Sequence, residues 1–415
     1  MAIVRPFKGI RPKAELAPKV AELPYDVMNR EEAKQMGKEN PYSFLHISRS
    51  EIDLDDSVSS YDEKVYLKAK ENLDKMISDG ILSYEKDATY YIYQQKMEDR
   101  VQTGIVACTS IDEYLNDVIK KHEFTRPVKE TDRINHFDKC DANTEPVFLT
   151  YRSNEEVNSI VSTWVDNHKP EYDFVTEDEI THTLWVLDDK EISNKIQNIF
   201  AGIDYLYIAD GHHRTASAVK VGLKRREENP NFTGEEEYNY FLSVIFPDKD
   251  LYIMDYNRVV KDLNGLTKEE LLTKIEEKFD IEKAEQGVQF KPSKKHTFGM
   301  FLEGQWFKLI AKEGTFDKND PVERIDAEIL QKNLLNPTLG IGNPRTDKRI
   351  DFVGGIRGLG ELEKRVSKDM KIAFSMYPTS IEDLFSIADA GEVMPPKSTW
   401  FEPKLRSGLI VHALS

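Results

Sequence analysis

Hydrophobic positions along this chain follow two spacings, one typical of strands and one typical of helices. Residues 90–97 and 101–111 are rich in aromatic and β-branched side chains and flank a short polar segment, so we predict a β-hairpin there. A second hairpin is predicted over residues 298–302 and 306–311. Residues 42–47 form another apolar run with aromatic residues, and we predict a strand.

Helical spacing appears in several other stretches. Apolar side chains recur every three or four positions through residues 61–79, and Gly80 follows as a stop signal. The pairs Asn29 with Glu32 and Thr267 with Glu270 have the spacing of capping boxes, so helices are predicted to begin there. Strands and helices mix irregularly without an internal repeat. The expected fold class is therefore α/β, in the mixed α+β sense.

Composition limits the classes of binding partner and the cellular locations that we expect. The 415 residues are 39% hydrophobic and carry a formal net charge of -17 at pH 7. An acidic chain of this kind does not suit nucleic acid or an anionic membrane, because both require a basic face. The two cysteines form no CxxC motif, and no stretch approaches the roughly 20 apolar residues of a membrane span. A cytoplasmic protein with reduced thiols is expected.

The most informative stretch follows an apolar run at residues 205–209. There the sequence reads Asp210, Gly211, His212, His213 and Arg214, and an alanine-rich helical pattern begins. One interpretation is an aspartate that caps the helix, followed by a solvated basic turn. The other is a site, because the first amides of a helix attract anions and the histidines and arginine add donors. The concentration of these residue types around one glycine favours the site.

Two further groups carry candidate chemistry. Glu123, after His122 and an apolar run, suits a general base or a magnesium ligand, although an exposed charge is the simpler interpretation. Lys397, Ser398 and Thr399 follow two prolines and suit a carboxylate or phosphate, or else an ordinary surface loop. The chain has no P-loop, GxSxG or HExxH motif. The glycines at 355, 358 and 360 match no dinucleotide fingerprint and predict a tight turn.

Three of these motifs resemble those of the free L-serine kinases of the ParB/sulfiredoxin-like superfamily and occur in the same order. They are His122-Glu123, Asp210-Gly211-His212-His213-Arg214 and Pro396-Lys397-Ser398-Thr399. Nearly the whole chain also resembles a larger family, the domain of unknown function numbered one thousand and fifteen. The motifs that carry this second resemblance are Pro24-Tyr25-Asp26-Val27, Asn40-Pro41-Tyr42-Ser43-Phe44-Leu45-His46, Lys121-His122-Glu123, Thr125-Arg126-Pro127, Asp210-Gly211-His212-His213-Arg214 and Pro395-Pro396-Lys397-Ser398-Thr399.

The resemblance implies a role for each matching residue. Glu123 corresponds to the base that acts on the serine hydroxyl. Asp210 corresponds to the acidic residue of the catalytic turn, near a metal, and His212 is a catalytic residue of the same turn. Mg²⁺ at Asp210 is implied in the same way. The implied phosphate- or nucleotide-binding residues are Gly211, His212, His213, Arg214 and Thr215. The implied substrate-binding residues are His122, Arg126, Lys397, Ser398 and Thr399.

The resemblance also implies an organisation and an activity. A ParB/sulfiredoxin-like core is expected at residues 111–262, between an N-terminal α/β segment at 1–110 and a C-terminal α+β region at 263–415. The expected enzyme transfers a phosphoryl group from ATP or ADP to the hydroxyl of free serine or a similar amino acid.

The alternatives are a nucleotide- or phosphate-binding regulator without kinase activity and a phosphohydrolase that uses the same site. The expected partners are a serine-like small molecule and a nucleotide, and a homodimer is compatible with the sequence. Sulfiredoxin chemistry is excluded, because His212 stands where a reactive cysteine is required.

Overall fold

A computed structural model describes residues 2–415, which divide into two compact units. The first unit contains the chain up to Leu251 together with Pro403–Ser415, and the second unit is Tyr252–Glu402. In sequence, the second unit is thus an insertion within the first.

The strands are numbered in chain order. They are β1 (Val4–Arg5), β2 (Gly9–Pro12), β3 (Leu82–Tyr84), β4 (Tyr90–Met97), β5 (Arg100–Ser110), β6 (Ile119–Lys120), β7 (Ala142–Asn143), β8 (Val147–Tyr151), β9 (Tyr172–Val175), β10 (Thr181–Leu187), β11 (Leu206–Asp210), β12 (Tyr240–Pro247), β13 (Tyr252–Met254), β14 (Tyr256–Val260), β15 (Phe279–Lys283), β16 (Thr297–Leu302), β17 (Gln305–Ala311), β18 (Ile350–Gly354), β19 (Ile372–Ser375), β20 (Trp400–Glu402) and β21 (Val411–Ala413).

The α-helices are numbered in the same way. They are α1 (Ala17–Val20), α2 (Arg30–Lys38), α3 (Leu45–Ser48), α4 (Glu63–Ser78), α5 (Ile111–Leu115), α6 (Pro127–Cys140), α7 (Glu155–Asn167), α8 (Lys190–Ala201), α9 (His212–Glu228), α10 (Lys268–Glu276), α11 (Asp326–Leu330), α12 (Gly358–Lys368) and α13 (Ile381–Asp389). A π-helical segment, Gln331–Leu335, continues α11.

The first unit is built on a mixed nine-stranded sheet. Its order is β6-β11-β8-β12-β5-β4-β10-β9, and β1 also pairs with β5. The pairs β6–β11 and β8–β12 are parallel, whereas the other pairs are antiparallel. A four-stranded sheet, β3-β2-β21-β7, completes this unit. Strand β11, which leads into the candidate turn, is thus held between two neighbours.

The core of the first unit explains the burial of these strands. An extensive apolar cluster joins Ile208 of β11, Leu149 of β8 and Ile245 of β12 to Val219 of α9. Side chains of this size contribute roughly 1.5–3 kcal/mol each when they are fully buried. Helix α9 is therefore fixed on the sheet by its apolar side, which leaves its first turn at the end of β11.

The second unit has an antiparallel six-stranded sheet of order β15-β17-β16-β19-β14-β18, together with the strand pair β13–β20. The two predicted hairpins are present as β4–β5 and β16–β17. The predicted mixed α/β class is confirmed. Strand β5 belongs to the predicted segment 1–110 and β12 to the predicted segment 111–262, and the two strands pair in one sheet. The division of the chain into three segments stays a prediction.

The predicted strand at residues 42–47 is wrong, because this stretch turns into helix α3. The Asn40 side chain accepts a hydrogen bond from the Tyr42 N–H at 3.1 Å and starts a turn. Phe44, Leu45 and Ile47 are all buried. Burial of adjacent residues suits a helical turn in a core and does not follow the alternation of a half-exposed strand.

Candidate functional site

The turn between β11 and α9 is the centre of the candidate site. Strand β11 ends at Asp210, and Gly211 then has a φ of 95° and a ψ of 29° before α9 begins. A Cβ atom at Gly211 would lie 3.0 Å from Arg214 Nε. The turn therefore requires glycine both for its left-handed backbone and for the space beside Arg214.

Asp210 is half-buried, and two cations balance its charge. Its Oδ2 atom accepts a hydrogen bond from Lys404 Nζ at 2.9 Å. Its Oδ1 atom accepts from the Gly211 N–H at 2.7 Å and lies 3.8 Å from Arg214 Nη2. Burial alone would raise the pKa of Asp210, but Lys404 and Arg214 together lower that pKa below its ordinary value. Asp210 is therefore a carboxylate at neutral pH.

Arg214 is buried behind the turn. Its guanidinium donates to the Pro146 carbonyl, and its positive charge interacts with Asp210, Asp26 and Glu145. Burial would lower the pKa of Arg214, but these carboxylates raise it. Asp26 belongs to one of the motifs that the sequence singled out, and this interaction connects that motif to the turn.

The first turn of α9 is suited to an anion. The first intrahelical bond runs from the Thr215 N–H to the Gly211 carbonyl at 2.9 Å, so the amides of His212, His213 and Arg214 precede it. The Thr215 hydroxyl donates to the same carbonyl at 3.0 Å. No acidic residue occurs in the first turn of α9 itself. The positive end of the helix dipole therefore lies beside these three amides.

His122 and His212 form a buried, neutral pair. Their ring centroids are 4.4 Å apart at an interplanar angle of 83°. Burial lowers the pKa of His212 to about 3, against the raising effect of Asp210, and burial also lowers the pKa of His122 well below its ordinary value. Neither ring carries a positive charge at neutral pH. The positive charge beside Asp210 therefore comes from Lys404 and Arg214.

A loop at residues 121–126, which we call the Glu123 loop, connects β6 to α6. The His122 N–H donates to His212 Nε2 at 3.4 Å, and the Arg126 N–H donates to His213 Nε2 at 2.9 Å. Glu123 is half-buried, and its carboxylate makes no hydrogen bond or ion pair within residues 2–415. The loop is thus tied to the first turn of α9 on both sides of an unpaired carboxylate.

The predicted substrate-binding residues of the C-terminal motif lie in the second unit. Lys397 has a φ of 61°, and its Nζ atom lies 5.5 Å from the centroid of the Tyr256 ring. The buried Ser398 hydroxyl donates to the Pro395 carbonyl at 2.7 Å. Thr399 follows directly and is half-buried. The contact of Lys397, Ser398 and Thr399 with substrate stays a prediction.

Sequence reasoning missed Lys404, although this residue makes the shortest ion pair of Asp210. The backbone carbonyl of Lys404 accepts a hydrogen bond from Gln95 Nε2 at 2.8 Å, and Gln102 Nε2 donates to Gln95 Oε1 at 2.8 Å. Lys404 and Asp210 are 194 positions apart. A lysine after a proline carries no local signal that would have connected it with the turn.

Within residues 2–415, no group of three or more His, Cys, Asp or Glu side chains is arranged to hold a metal ion. Both oxygens of Asp210 already accept hydrogen bonds.

Across residues 2–415, no helix has the length and apolarity to cross a membrane.

Comparison with protein families decides the classification. A family model described as "Protein of unknown function (DUF1015)" matches residues 4–328. The chain belongs to this family. The membership predicted from the motifs is thereby confirmed. A search of curated proteins finds no match to this DUF1015 protein.

Several solved structures are similar to this DUF1015 protein at low sequence identity. A free serine kinase in complex with AMP has 14% identity and a TM-score of 0.38, with coverage of 74% of this chain and 91% of that chain. A conserved hypothetical protein from Pyrococcus furiosus has 14% identity and a TM-score of 0.36, with coverage of 75% and 95%. SbnI from Staphylococcus aureus, truncated at its C-terminus, has 10% identity and a TM-score of 0.41, with coverage of 74% and 87%.

Proposed function

We propose that this DUF1015 protein is a small-molecule kinase that transfers a phosphoryl group from a nucleotide to the hydroxyl of free L-serine or a similar amino acid. One arrangement supports the proposal: an unpaired carboxylate, Glu123, sits on a loop that is tied to the first turn of α9. A proton acceptor thus lies beside an anion-binding turn. The motif resemblance to free serine kinases points in the same direction.

Glu123 is assigned the role of general base. The serine hydroxyl is a weak nucleophile, so a carboxylate that accepts its proton helps as the oxygen bonds to phosphorus. In the same step, the bond between that phosphorus and the bridging oxygen of the nucleotide breaks. The products are a phosphorylated amino acid and a nucleotide shortened by one phosphoryl group, and the proton resides on Glu123.

The turn is assigned the role of phosphate cradle. Phosphoryl transfer depends mainly on alignment and on neutralising charge around the transferred group. The amides of His212, His213 and Arg214 point out of the first turn of α9, and Lys404 and Asp210 lie at the same strand end. The Gly211 amide is committed to Asp210 and is therefore a part of the turn rather than of the cradle.

The predicted Mg²⁺ at Asp210 does not fit the side chains as they stand. Lys404 Nζ occupies Oδ2, and a cation on that oxygen would have to displace it. Mg²⁺ in phosphoryl-transfer enzymes commonly binds through one or two carboxylates and the phosphates of the nucleotide. The phosphoryl transfer is therefore assigned to residues of the chain alone, with ATP and ADP as the two candidate donors.

The test is a direct assay for the phosphorylated amino acid. The protein is incubated with L-serine and either ATP or ADP, with and without Mg²⁺, and O-phosphoserine is measured by mass spectrometry. The matched variant Glu123→Gln keeps the size of the side chain and removes the base. We expect its kcat to fall by about 100-fold or more, because general bases contribute that much, while nucleotide affinity in calorimetry is unchanged.

The other outcomes would assign a different function to the protein or a different role to Glu123. Nucleotide binding without any phosphorylated amino acid would identify a regulatory binding protein. Release of inorganic phosphate without an acceptor would identify a phosphohydrolase. Unchanged turnover in Glu123→Gln would remove Glu123 from the role of base.

A further inference from the structure

We infer that His213 is a positioning residue that holds the Glu123 loop in place. The inference rests on the proposed function for its catalytic meaning, but the contact itself is independent of it. The Arg126 N–H donates to His213 Nε2 at 2.9 Å, across 87 positions of sequence. His213 thus fixes the backbone of the loop three residues after Glu123.

The proton on His213 follows from this contact. A ring nitrogen that accepts a hydrogen bond carries no proton, so the neutral ring holds its proton on Nδ1. The same argument applies to His212, whose Nε2 atom accepts from the His122 N–H. Both histidines of the motif therefore use the same ring nitrogen to hold the loop, one on each side of Glu123.

The two contacts are not equivalent. The His122 N–H lies 3.4 Å from His212 Nε2, which is long for a hydrogen bond, whereas the bond to His213 has ordinary length. The Thr125 hydroxyl donates to Glu130 Oε2 and adds a contact from the loop to α6. Among these contacts, that of His213 ties the far side of the loop to the anion-binding turn.

The position of Glu123 depends on its backbone. Its carboxylate has no hydrogen bond or ion pair within the described residues, so no polar contact of its own side chain sets its place. Proton transfer requires the base to lie within hydrogen-bond reach of the hydroxyl. Loss of the His213 contact should therefore lower catalysis without a comparable loss of nucleotide binding.

The first test is amide hydrogen exchange of the Glu123 loop in the full chain. We expect His213→Leu to accelerate exchange at the Arg126 amide by about tenfold, since it removes one hydrogen bond. His213→Gln places an amide oxygen near the position of Nε2, so it should restore protection. His168→Leu is the control, because this exposed histidine lies at the end of α7.

The second test separates positioning from general damage to the fold. We expect kcat to fall about tenfold in His213→Leu, with nearly unchanged nucleotide KM, and to recover in His213→Gln. Thermal unfolding of both variants checks that the chain is folded. A His213→Leu protein with wild-type exchange at residues 122–126 would overturn the inference.

The two proposals fail in different ways. If the wild-type protein makes no phosphorylated amino acid, the proposed function fails, and the exchange experiment still decides whether His213 holds the loop. If the protein is a kinase but His213→Gln shows the same kcat as His213→Leu despite restored protection, His213 does not act by positioning Glu123.

Discussion

Two turns of the molecule were singled out by their sequence, and the structure uses their polar groups differently. At the start of α9, Asp210 contacts Lys404, and the histidine that follows contacts His122, at sequence distances of 194 and 90 positions. In the C-terminal motif, the Ser398 hydroxyl donates to Pro395, three positions earlier. The first turn gathers side chains from distant parts of the chain, whereas Ser398 stabilises its own backbone.

This difference distinguishes a functional site from a turn that is stabilised only by local hydrogen bonds. A local hydrogen bond from a serine satisfies a loop, and such loops are common in proteins. A half-buried carboxylate with a counter-ion 194 positions away in sequence carries a desolvation cost that a turn alone does not require, and such groups cluster at functional sites. Long-range convergence is therefore the better evidence for chemistry, and the β11–α9 turn has it.

The largest expected effect that would test this contrast is that of Gly211→Ala. The left-handed φ of 95° strains any residue with a Cβ, and the Cβ would also meet Arg214 Nε at 3.0 Å. We expect the free energy of unfolding to fall by about 3 kcal/mol and kcat to fall by about 100-fold. Chemical denaturation and the phosphorylation assay measure the two effects.

Gly234→Ala is the matched control for that variant. Gly234 has a φ of 94°, but no atom lies within 4 Å of a Cβ at this position. We expect a loss of about 1 kcal/mol from backbone strain alone and wild-type activity. Equal losses of stability in the two variants would show that the close approach to Arg214 is unimportant.

A smaller effect is expected from Lys404→Met, which leaves the Asp210 carboxylate without its nearest cation. The side chain of Asp210 is 31% exposed, so water screens part of the loss, and we expect about 2 kcal/mol in the free energy of unfolding at pH 7. Lys404→Arg should recover part of it. Denaturant unfolding of the three proteins at constant ionic strength gives the comparison.

Lys397→Met in the other turn sharpens the result. Its ammonium lies over the Tyr256 ring at 5.5 Å, a contact that contributes about 0.5–1 kcal/mol at exposed sites. We expect a smaller loss of stability than in Lys404→Met. A larger loss would reverse the contrast between the two turns.

A separate prediction concerns the pH dependence of stability. The pKa of His212 is about 3 in the folded protein and about 6.5 in an unfolded chain. Between these values the unfolded chain binds more protons, so the contribution of His212 is complete above pH 6.5 and is lost as the pH falls towards 3.

Replacing His212 by glutamine removes that proton linkage. We expect the slope of the unfolding free energy against pH, measured between pH 4 and 6, to decrease by about one proton, or roughly 1.4 kcal/mol per pH unit. His168→Gln controls for the loss of an imidazole at an exposed position. An unchanged slope in His212→Gln would mean that the ring is not buried in its neutral form.

Features of the fold that depend on neighbouring residues could be predicted. The capping boxes of Asn29 with Glu32 and of Thr267 with Glu270 are present, because both partners lie within one turn of the same helix. The hairpin β4–β5 is present for a similar reason. The strand prediction for residues 42–47 is wrong because an apolar run fits a buried helical turn as well as a strand, and the turn that starts at Asn40 decides between them.

The same distinction between local and long-range features applies to the candidate site. Asp210 and Gly211 could be recognised because a strand, a turn and a helix start adjoin in sequence. The attachment of the Glu123 loop to His213 could not, since it depends on β6 pairing with β11 and on α6 lying against α9. Lys404 was missed for the strongest reason: the whole second unit separates it from the turn in sequence.

The return of the chain to the first unit has a consequence for biosynthesis. Strand β21 fills the middle of the sheet β3-β2-β21-β7, and Lys404 precedes it. A ribosome makes Asp210 and Arg214 long before Lys404, so Asp210 lacks its nearest cation while the second unit is synthesised. The growing polypeptide therefore acquires the ion pair between Lys404 and Asp210 only after residue 404 leaves the exit tunnel.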